Sequence, residues 1–276
     1  MSRRLECLTW TEIGASATVV LPIGALEQHG PHLPLNTDVV IAEAVAVGVA
    51  NHLSGLGTSL DQVVLAPALT YTASGEHEGF PGTISIGVEA LRLVLVELAR
   101  SVRRWAGRLV LVNAHGGNAF AIQDATAQLR AEGHQIDVVT CSAPGADLHA
   151  GRTETSLLLH LSPGLVRTDR LAAGYLGGPA EAMPVLRRAG VAALSASGVL
   201  GDPREATAAE GATILAEMTR RACAPLGNAA AGSAALGNEQ FDNAILGNPG
   251  LGSAGLGNTA LGNTANEIAT HLGPRP

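Results

Sequence analysis

The amino-acid sequence predicts an α/β protein whose mostly parallel sheet is covered by helices on both faces. From Ala17 to about Arg221, short β-branched runs alternate with longer amphipathic runs, which is typical of strand–helix–strand units. Hydrophobic residues make up 46% of the 276 residues and charged residues 15%, so the chain has enough apolar surface to form a core. Ligands of such sheets bind beyond the carboxyl ends of the strands, so we expect the functional residues there.

The elements follow from local pattern. Residues 18–24 are apolar and β-branched and end at a glycine, which predicts a buried strand, and residues 39–53 then predict a helix with Thr37 as its N-cap. A second strand is predicted at residues 63–66. Apolar residues then recur at helical spacing, which predicts a long helix with one buried face: Leu91, Leu95, Leu98, Val102 and Trp105. The last elements predicted are strands at 108–113 and 135–141 and helices at 118–132 and 153–161.

The C-terminal part of the chain has a different pattern. From Leu226 to Ala265 it consists of eight five-residue units, five of which begin with Leu-Gly-Asn. It is similar to pentapeptide-repeat sequences, and a flexible Gly/Ala/Asn tail is an equal alternative. The sequence therefore divides into a domain at 1–225, a repeat tail at 226–265 that is a short solenoid or disordered, and an extension at 266–276.

Charge, apolar run length and cysteine content argue against several classes of protein. Net charge is −7 and all 17 basic residues are arginines without a basic patch, so we expect no nucleic-acid partner. No apolar run reaches 18 residues and the first residues lack an apolar signal core, so we expect neither a membrane span nor a secretory signal. Three widely spaced cysteines, Cys7, Cys141 and Cys223, are interpreted as small buried hydrophobes of a cytoplasmic protein.

Acids and histidines follow the first strand. Glu27 and His29 lie two residues apart and project to the same side of an extended chain, and Asp38 stands at the start of the next helix. Two carboxylates and an imidazole suit zinc, iron or manganese. Taken singly, each has a structural explanation, since Asp38 would also favour the helix dipole and His29 would serve as a hydrogen-bonded loop histidine.

Two further strand ends carry similar residues. His115, Gly116 and Gly117 follow the strand at 108–113, where the glycines let the backbone approach a ligand. After the next strand come His149 and, in the first turn of a helix, Glu154, with Arg152 able to pair a carboxylate of the protein or of a substrate. The remaining histidines of this region are assigned no function: His52, His134 and His160.

These three segments together resemble the creatininase family. The resemblance rests on Glu-x-His-Gly-Pro-His-Leu-Pro…Thr-Asp, His-Gly-Gly-Asn and His-Ala-Gly…Glu-Thr-Ser, and spans roughly Leu21 to Gly211. Within the family, the segments at 73–77, 82–85 and 198–203 look most like the mycofactocin-system peptidases. Creatininase itself has a glutamate where this chain has Gly117, which argues against creatinine hydrolysis and leaves the last carboxylate role to Glu154.

The resemblance implies a two-metal hydrolase, with two divalent ions per subunit (iron or zinc, or else manganese). It implies that the metal ligands are Glu27, His29, Asp38, His115 and Glu154. Asp38 would bridge the two ions, His149 would transfer protons, and the backbone at Gly116 and Gly117 would lie against the substrate. It further implies a homo-oligomer that releases the C-terminal Val-Tyr dipeptide from a modified, ribosomally made precursor peptide.

Two alternatives stay open. One is a small-molecule amidohydrolase acting on a cyclic amide, although seven aromatic residues are few for the stacking pocket that it needs. The other is a non-catalytic scaffold assembled through the repeat tail, which would have no need of five metal ligands.

Overall fold

Five strands, all parallel, form the sheet of the computed structural model, which describes residues 3–56 and 62–227. The strands are β1 (Arg3–Arg4), β2 (Thr18–Ile23), β3 (Val63–Leu65), β4 (Arg108–Asn113) and β5 (Ile136–Thr140), in the order β1-β3-β2-β4-β5. The predicted α/β class is confirmed. Beyond residue 227, the predicted repeat tail and terminal extension lie outside the described residues.

Helices cover both faces of the sheet. They are α1 (Thr37–Gly55), α2 (Val88–Val102), α3 (Ala119–Ala131), α4 (Arg152–Leu161), α5 (Pro179–Ala189) and α6 (Ala208–Cys223). Successive strand residues point to opposite faces. Thus Val20 and Val110 pack with α1, α4 and α6, whereas Val19 and Leu109 pack with α2 and α3. Two apolar cores, one on each face, hold the sheet between helices.

The structure differs from the predictions in several places, and strand β1 and helices α5 and α6 have no predicted counterpart. Helix α1 begins at Thr37, so Asn36 is the N-cap, and the Thr37 hydroxyl donates to Pro34 O at 2.7 Å. Helix α2 ends at Val102, which leaves Trp105 in the following turn, 37% exposed. The three cysteines were predicted to be buried, but Cys7 is exposed and Cys141 half-buried, and Cys223 alone of the three is buried.

Leu226, the first leucine of the repeat pattern, belongs to the core of the domain. It is 1% exposed and packs in the same cluster as Met218 and Ala222 of α6. Within the described ranges, no helix has the length and hydropathy required to cross a membrane.

Strand order determines where the functional loops meet. The chain leaves β2 for β3 on one side and later returns to place β4 on the other side, so the ends of β2 and β4 flank a crevice. Ile23 and Asn113, the last residues of these strands, are partners in register. A Cβ on Gly24 would lie 2.5 Å from Val39 N, so only glycine lets the N-terminus of α1 approach this strand end.

Candidate metal centre

Three loops beyond the carboxyl ends of β2, β4 and β5 bring together the residues that the sequence predicts as metal ligands. The loop after β2 carries Glu27 and His29, the first turn of α1 carries Asp38, and the turn after β4 carries His115. Helix α4, after β5, carries Glu154 in its first turn. All five belong to groups whose possible ligand atoms lie within 4.8 Å of one another.

Three imidazoles of the centre share one bonding pattern. His29 Nδ1 lies 3.1 Å from Glu27 O, His115 Nε2 lies 2.8 Å from Ala73 O, and His149 Nε2 lies 2.8 Å from Gln28 O. A backbone carbonyl can only accept, so each of these nitrogens carries the proton, and the other nitrogen of the neutral ring has the lone pair. Metal-binding histidines are held in this way by carbonyl groups behind them.

The opposite ring nitrogens face carboxylates, and without a cation His29 Nε2 donates a hydrogen bond to Asp38 Oδ1. His29 Nε2 lies 3.2 Å from Asp38 Oδ1 and 3.9 Å from Glu154 Oε2, while His115 Nδ1 lies 3.3 Å from Asp38 Oδ2. Asp38 therefore presents one oxygen to each histidine. His149 Nδ1 lies 3.8 Å from Glu27 Oε1.

The resulting groups share members. They are Glu27 with His29 and His149, Glu27 with Asp38 and His115, and His29 with Asp38 and Glu154. Asp38 belongs to two of them through two different histidines, as expected of a carboxylate between two cations.

Burial makes these carboxylates costly without a cation. Glu27 is fully buried and Asp38 is 2% exposed, and three of their oxygens accept no hydrogen bond: Glu27 Oε1, Glu27 Oε2 and Asp38 Oδ2. Burying an ionised carboxylate without a partner is strongly unfavourable, and a divalent cation removes that penalty. The oxygen and nitrogen donors fit zinc, iron or manganese.

The electrostatics of the cluster follow from the same crowding. Burial raises the pKa of Glu27 to about 8 and that of Glu154 to about 7. Burial by itself would lower the pKa of His29, but Asp38 and Glu154 beside it raise that pKa to about 10. Protons thus occupy places that a cation would take.

Other predicted residues have clear positions. Arg152 pairs with carboxylates of the protein, since its Nε lies 2.9 Å from both oxygens of Glu210 and its Nη1 lies 3.0 Å from Glu205 Oε2. His52, His134 and His160 take no part in the groups above. Gly116 is exposed and Gly117 half-buried at the turn after β4.

Sequence reasoning missed three side chains at the centre: Gln28, Glu76 and His77. Glu76 and His77 lie on a short 3₁₀ turn, Gly75–His77, and Glu76 Oε1 lies 3.6 Å from His115 Nε2. A Cβ on residue 117 would lie 2.5 Å from that same Glu76 oxygen. The space beside His115 that a side chain at 117 would enter therefore holds the Glu76 carboxylate. The signal that could have indicated these two residues was the adjacent glutamate and histidine of the Ser-Gly-Glu-His segment.

His32 is a buried histidine that connects two parts of the site. Its Nε2 lies 2.9 Å from Thr155 Oγ1 on α4, and Arg167 N donates to its backbone oxygen at 2.8 Å. Burial lowers the pKa of His32 to about 4. We interpret it as a structural contact between the loop after β2 and the helix that carries Glu154.

Known proteins that resemble this chain show which class of protein has this fold and this candidate metal centre. The family model described as creatinine amidohydrolase matches residues 6–226. The chain therefore belongs to the creatininase family. Together with the relatives named below, this membership identifies it as a hydrolase that acts on C–N amide bonds.

Curated relatives include a peptidase and a creatinine amidohydrolase. The mycofactocin precursor peptide peptidase of Mycobacterium ulcerans is 55% identical over 202 residues, which cover 73% of this chain and 81% of that protein. The creatinine amidohydrolase of Pseudomonas putida is 34% identical over 199 residues, covering 59% of this chain and 74% of that protein.

Solved structures agree with the fold. A creatinine amidohydrolase crystal structure superposes with a TM-score of 0.68 at 27% identity, covering 84% of this chain and 99% of that chain. A creatininase variant described as the Zn-Zn type gives 0.65 at 27% identity, covering 87% of this chain and 99% of that chain. A creatininase described with Mn gives 0.63 at 27% identity, with the same coverage.

Proposed function

We propose that this chain is a two-metal peptidase that releases the C-terminal Val-Tyr dipeptide from the modified mycofactocin precursor peptide. The observation that carries the proposal is the set of buried carboxylate oxygens of Glu27 and Asp38 that accept no hydrogen bond and lie beside the ring nitrogens of His29 and His115. The relative from Mycobacterium ulcerans, named as a precursor peptide peptidase and 55% identical, supports the choice of substrate.

The chain's own residues would hold two divalent cations in adjacent places. Glu27 and His115 serve one place, His29 and Glu154 the other, and Asp38 contributes one oxygen to each. Iron or zinc suits these ligands best, and manganese is a third option. Such a pair of cations lowers the pKa of a shared water and polarises the scissile carbonyl.

We assign proton transfer to His149. Its Nε2–H donates to Gln28 O at 2.8 Å, so Nδ1 is the atom that exchanges a proton with the substrate. Hydrolysis breaks the peptide bond before the valine, and the leaving amine needs a proton as the bond breaks. His149 Nδ1 takes a proton from the attacking water and passes it to that amine.

The test is mass spectrometry of the modified precursor peptide after incubation with metal-loaded protein. The proposal expects a loss of Val-Tyr that stops when a chelator removes the metal. A peptide of unchanged mass after incubation with fully loaded protein would overturn it. Turnover of creatinine without peptide cleavage would favour the cyclic-amide alternative.

A further inference from the structure

His77 borders the metal centre but has no part in the mechanism above. It is 4% exposed, its ring centroid lies 4.5 Å from that of His149, and its Nε2 lies 3.3 Å from Glu27 Oε1. A buried imidazole at this place is either another ligand or a hydrogen-bond donor. The position of its proton decides between the two.

A chain of hydrogen bonds that starts at the backbone fixes that proton. Gly30 N donates to Gln28 Oε1 at 2.9 Å, so the amide nitrogen of Gln28 is the atom on the other side. This nitrogen lies 2.9 Å from His77 Nδ1, 3.1 Å from His149 Nε2 and 3.3 Å from Gly198 O. His149 Nε2 is not an acceptor because its own proton goes to Gln28 O at 2.8 Å, so the two amide protons go to His77 Nδ1 and Gly198 O. Because His77 Nδ1 accepts, it carries no proton, and the neutral ring has its proton on Nε2.

The hydrogen-bonding pattern of His77 is therefore the opposite of that of the other three histidines. His29, His115 and His149 each bond to a carbonyl acceptor, so the opposite ring nitrogen is the one that can bind a cation. His77 bonds to an amide donor and presents an N–H on the side of Glu27. A nitrogen that keeps its proton cannot bind a metal ion.

We propose that the His77 Nε2–H is the hydrogen-bond donor for the carbonyl oxygen of the scissile amide. Within the described part of the chain, no hydrogen bond ends on this nitrogen, and Glu27 Oε1 accepts none although it lies 3.3 Å away. Glu27 Oε1 is itself a candidate metal-binding atom, so a bound cation would leave this N–H without the carboxylate as an acceptor, and the substrate carbonyl would supply one. This role rests on the proposed peptidase function.

The donor works without losing its proton. As water oxygen adds to the carbonyl carbon, the π electron pair of the C=O bond moves onto the oxygen, which the N–H then stabilises. When the C–N bond breaks, its electron pair stays on the leaving nitrogen, which takes its proton from His149. Gln28 keeps the His77 proton on Nε2 throughout and is a positioning residue.

Nuclear magnetic resonance of the full, cadmium-113-loaded chain with nitrogen-15-labelled histidines tests the donor state directly. We expect cadmium–nitrogen coupling at His29 and His115, and at His77 a protonated Nε2 without coupling. Coupling at His77 would make it a ligand and overturn the proposal. This result does not depend on whether the protein cleaves a peptide, so it stays separate from a failure of the proposed function.

Paired variants test the catalytic role. His77→Phe removes the donor, and we expect kcat for the precursor peptide to fall by roughly 10²–10³ with KM and metal content unchanged, as for the loss of one oxyanion donor. His77→Gln keeps an N–H near the Nε2 position and should stay within about tenfold of wild type. His160→Gln, at an exposed position on α4, is the matched control. Equal kcat in the Phe and Gln variants, or loss of metal in the Phe variant, would overturn the role.

Gln28→Glu reverses the proton arrangement without removing His77. A carboxylate at this position accepts from His77 Nδ1 and leaves the lone pair on Nε2. We expect kcat to fall as in His77→Phe and cadmium coupling to appear at His77. Unchanged kcat in this variant would contradict the assignment of Gln28.

Discussion

Gly117→Ala should weaken metal binding although residue 117 is not a ligand. Its Cβ would lie 2.5 Å from Ala73 O and from Glu76 Oε1, and closer still to His115 Nε2. Ordinary contact begins near 3.4 Å, so the neighbours must move by roughly 1 Å. Gly117 is not among the described glycines with positive φ, so the methyl contact and not backbone strain produces the effect.

The magnitude follows from the bond that the methyl group breaks. His115 is oriented by its 2.8 Å contact with Ala73 O, and a 1 Å displacement removes that hydrogen bond. Loss of such an orienting partner typically weakens metal affinity by about 10–100-fold, or about 1.4–2.7 kcal/mol. Glu76 is displaced as well, so we expect the upper half of that range.

Competition with a fluorescent zinc chelator measures this affinity. Gly75→Ala is the matched control because a Cβ there meets nothing within 4 Å. We expect the control to bind zinc like wild type. Zinc affinity of Gly117→Ala within threefold of wild type would refute the packing argument around His115.

Four further predictions concern the same centre. Asp38→Ala should abolish activity and lower the bound metal more than the loss of any other ligand does, because Asp38 alone faces both His29 and His115. Elemental mass spectrometry measures the bound metal, and a near-normal content would refute the assignment of Asp38 as the bridging carboxylate. His149→Ala should keep its metal but lose turnover by roughly 10²–10⁴-fold, and a metal-free variant would make His149 a ligand. Truncation after Gly227, which retains the buried Leu226, should leave hydrolysis and metal content intact, and loss of either would contradict the two-part division. The pKa values of Glu27 and Glu154, about 8 and 7, lie above the usual 4.5, and that of His29 is raised to about 10, so above about pH 6.5 the folded metal-free protein holds more protons than the unfolded chain. Its stability should therefore fall as pH rises from about 6.5 to 8 while zinc affinity increases, and thermal melts and calorimetry that gave opposite slopes would contradict the sign.

Most of the candidate ligands predicted from the sequence lie close to strand ends. Glu27, His29 and His115 follow β2 and β4 within a few residues, and parallel strands bring their ends to one edge. A local pattern therefore sufficed to place them. The shared role of Asp38 came from resemblance and is consistent with its two histidine contacts.

Glu76 and His77 were missed for a physical reason. They lie ten or more residues beyond the end of β3, and tertiary contacts place their turn, such as Ala73 N donating to Asn118 Oδ1 at 3.1 Å. Gln28 lies between two predicted ligands, yet its role depends on His77 and Gly198, far away in sequence. Periodicity does not report such contacts. Thr37 was misplaced because one residue at a helix start is below the precision of local patterns.

Anomalous X-ray diffraction at the zinc edge, from crystals of the zinc-loaded protein, tests the central claim of a two-cation centre most directly. We expect two anomalous peaks that flank the Asp38 carboxylate, one beside Glu27 and His115 and the other beside His29 and Glu154. A single peak, or peaks away from Asp38, would contradict it.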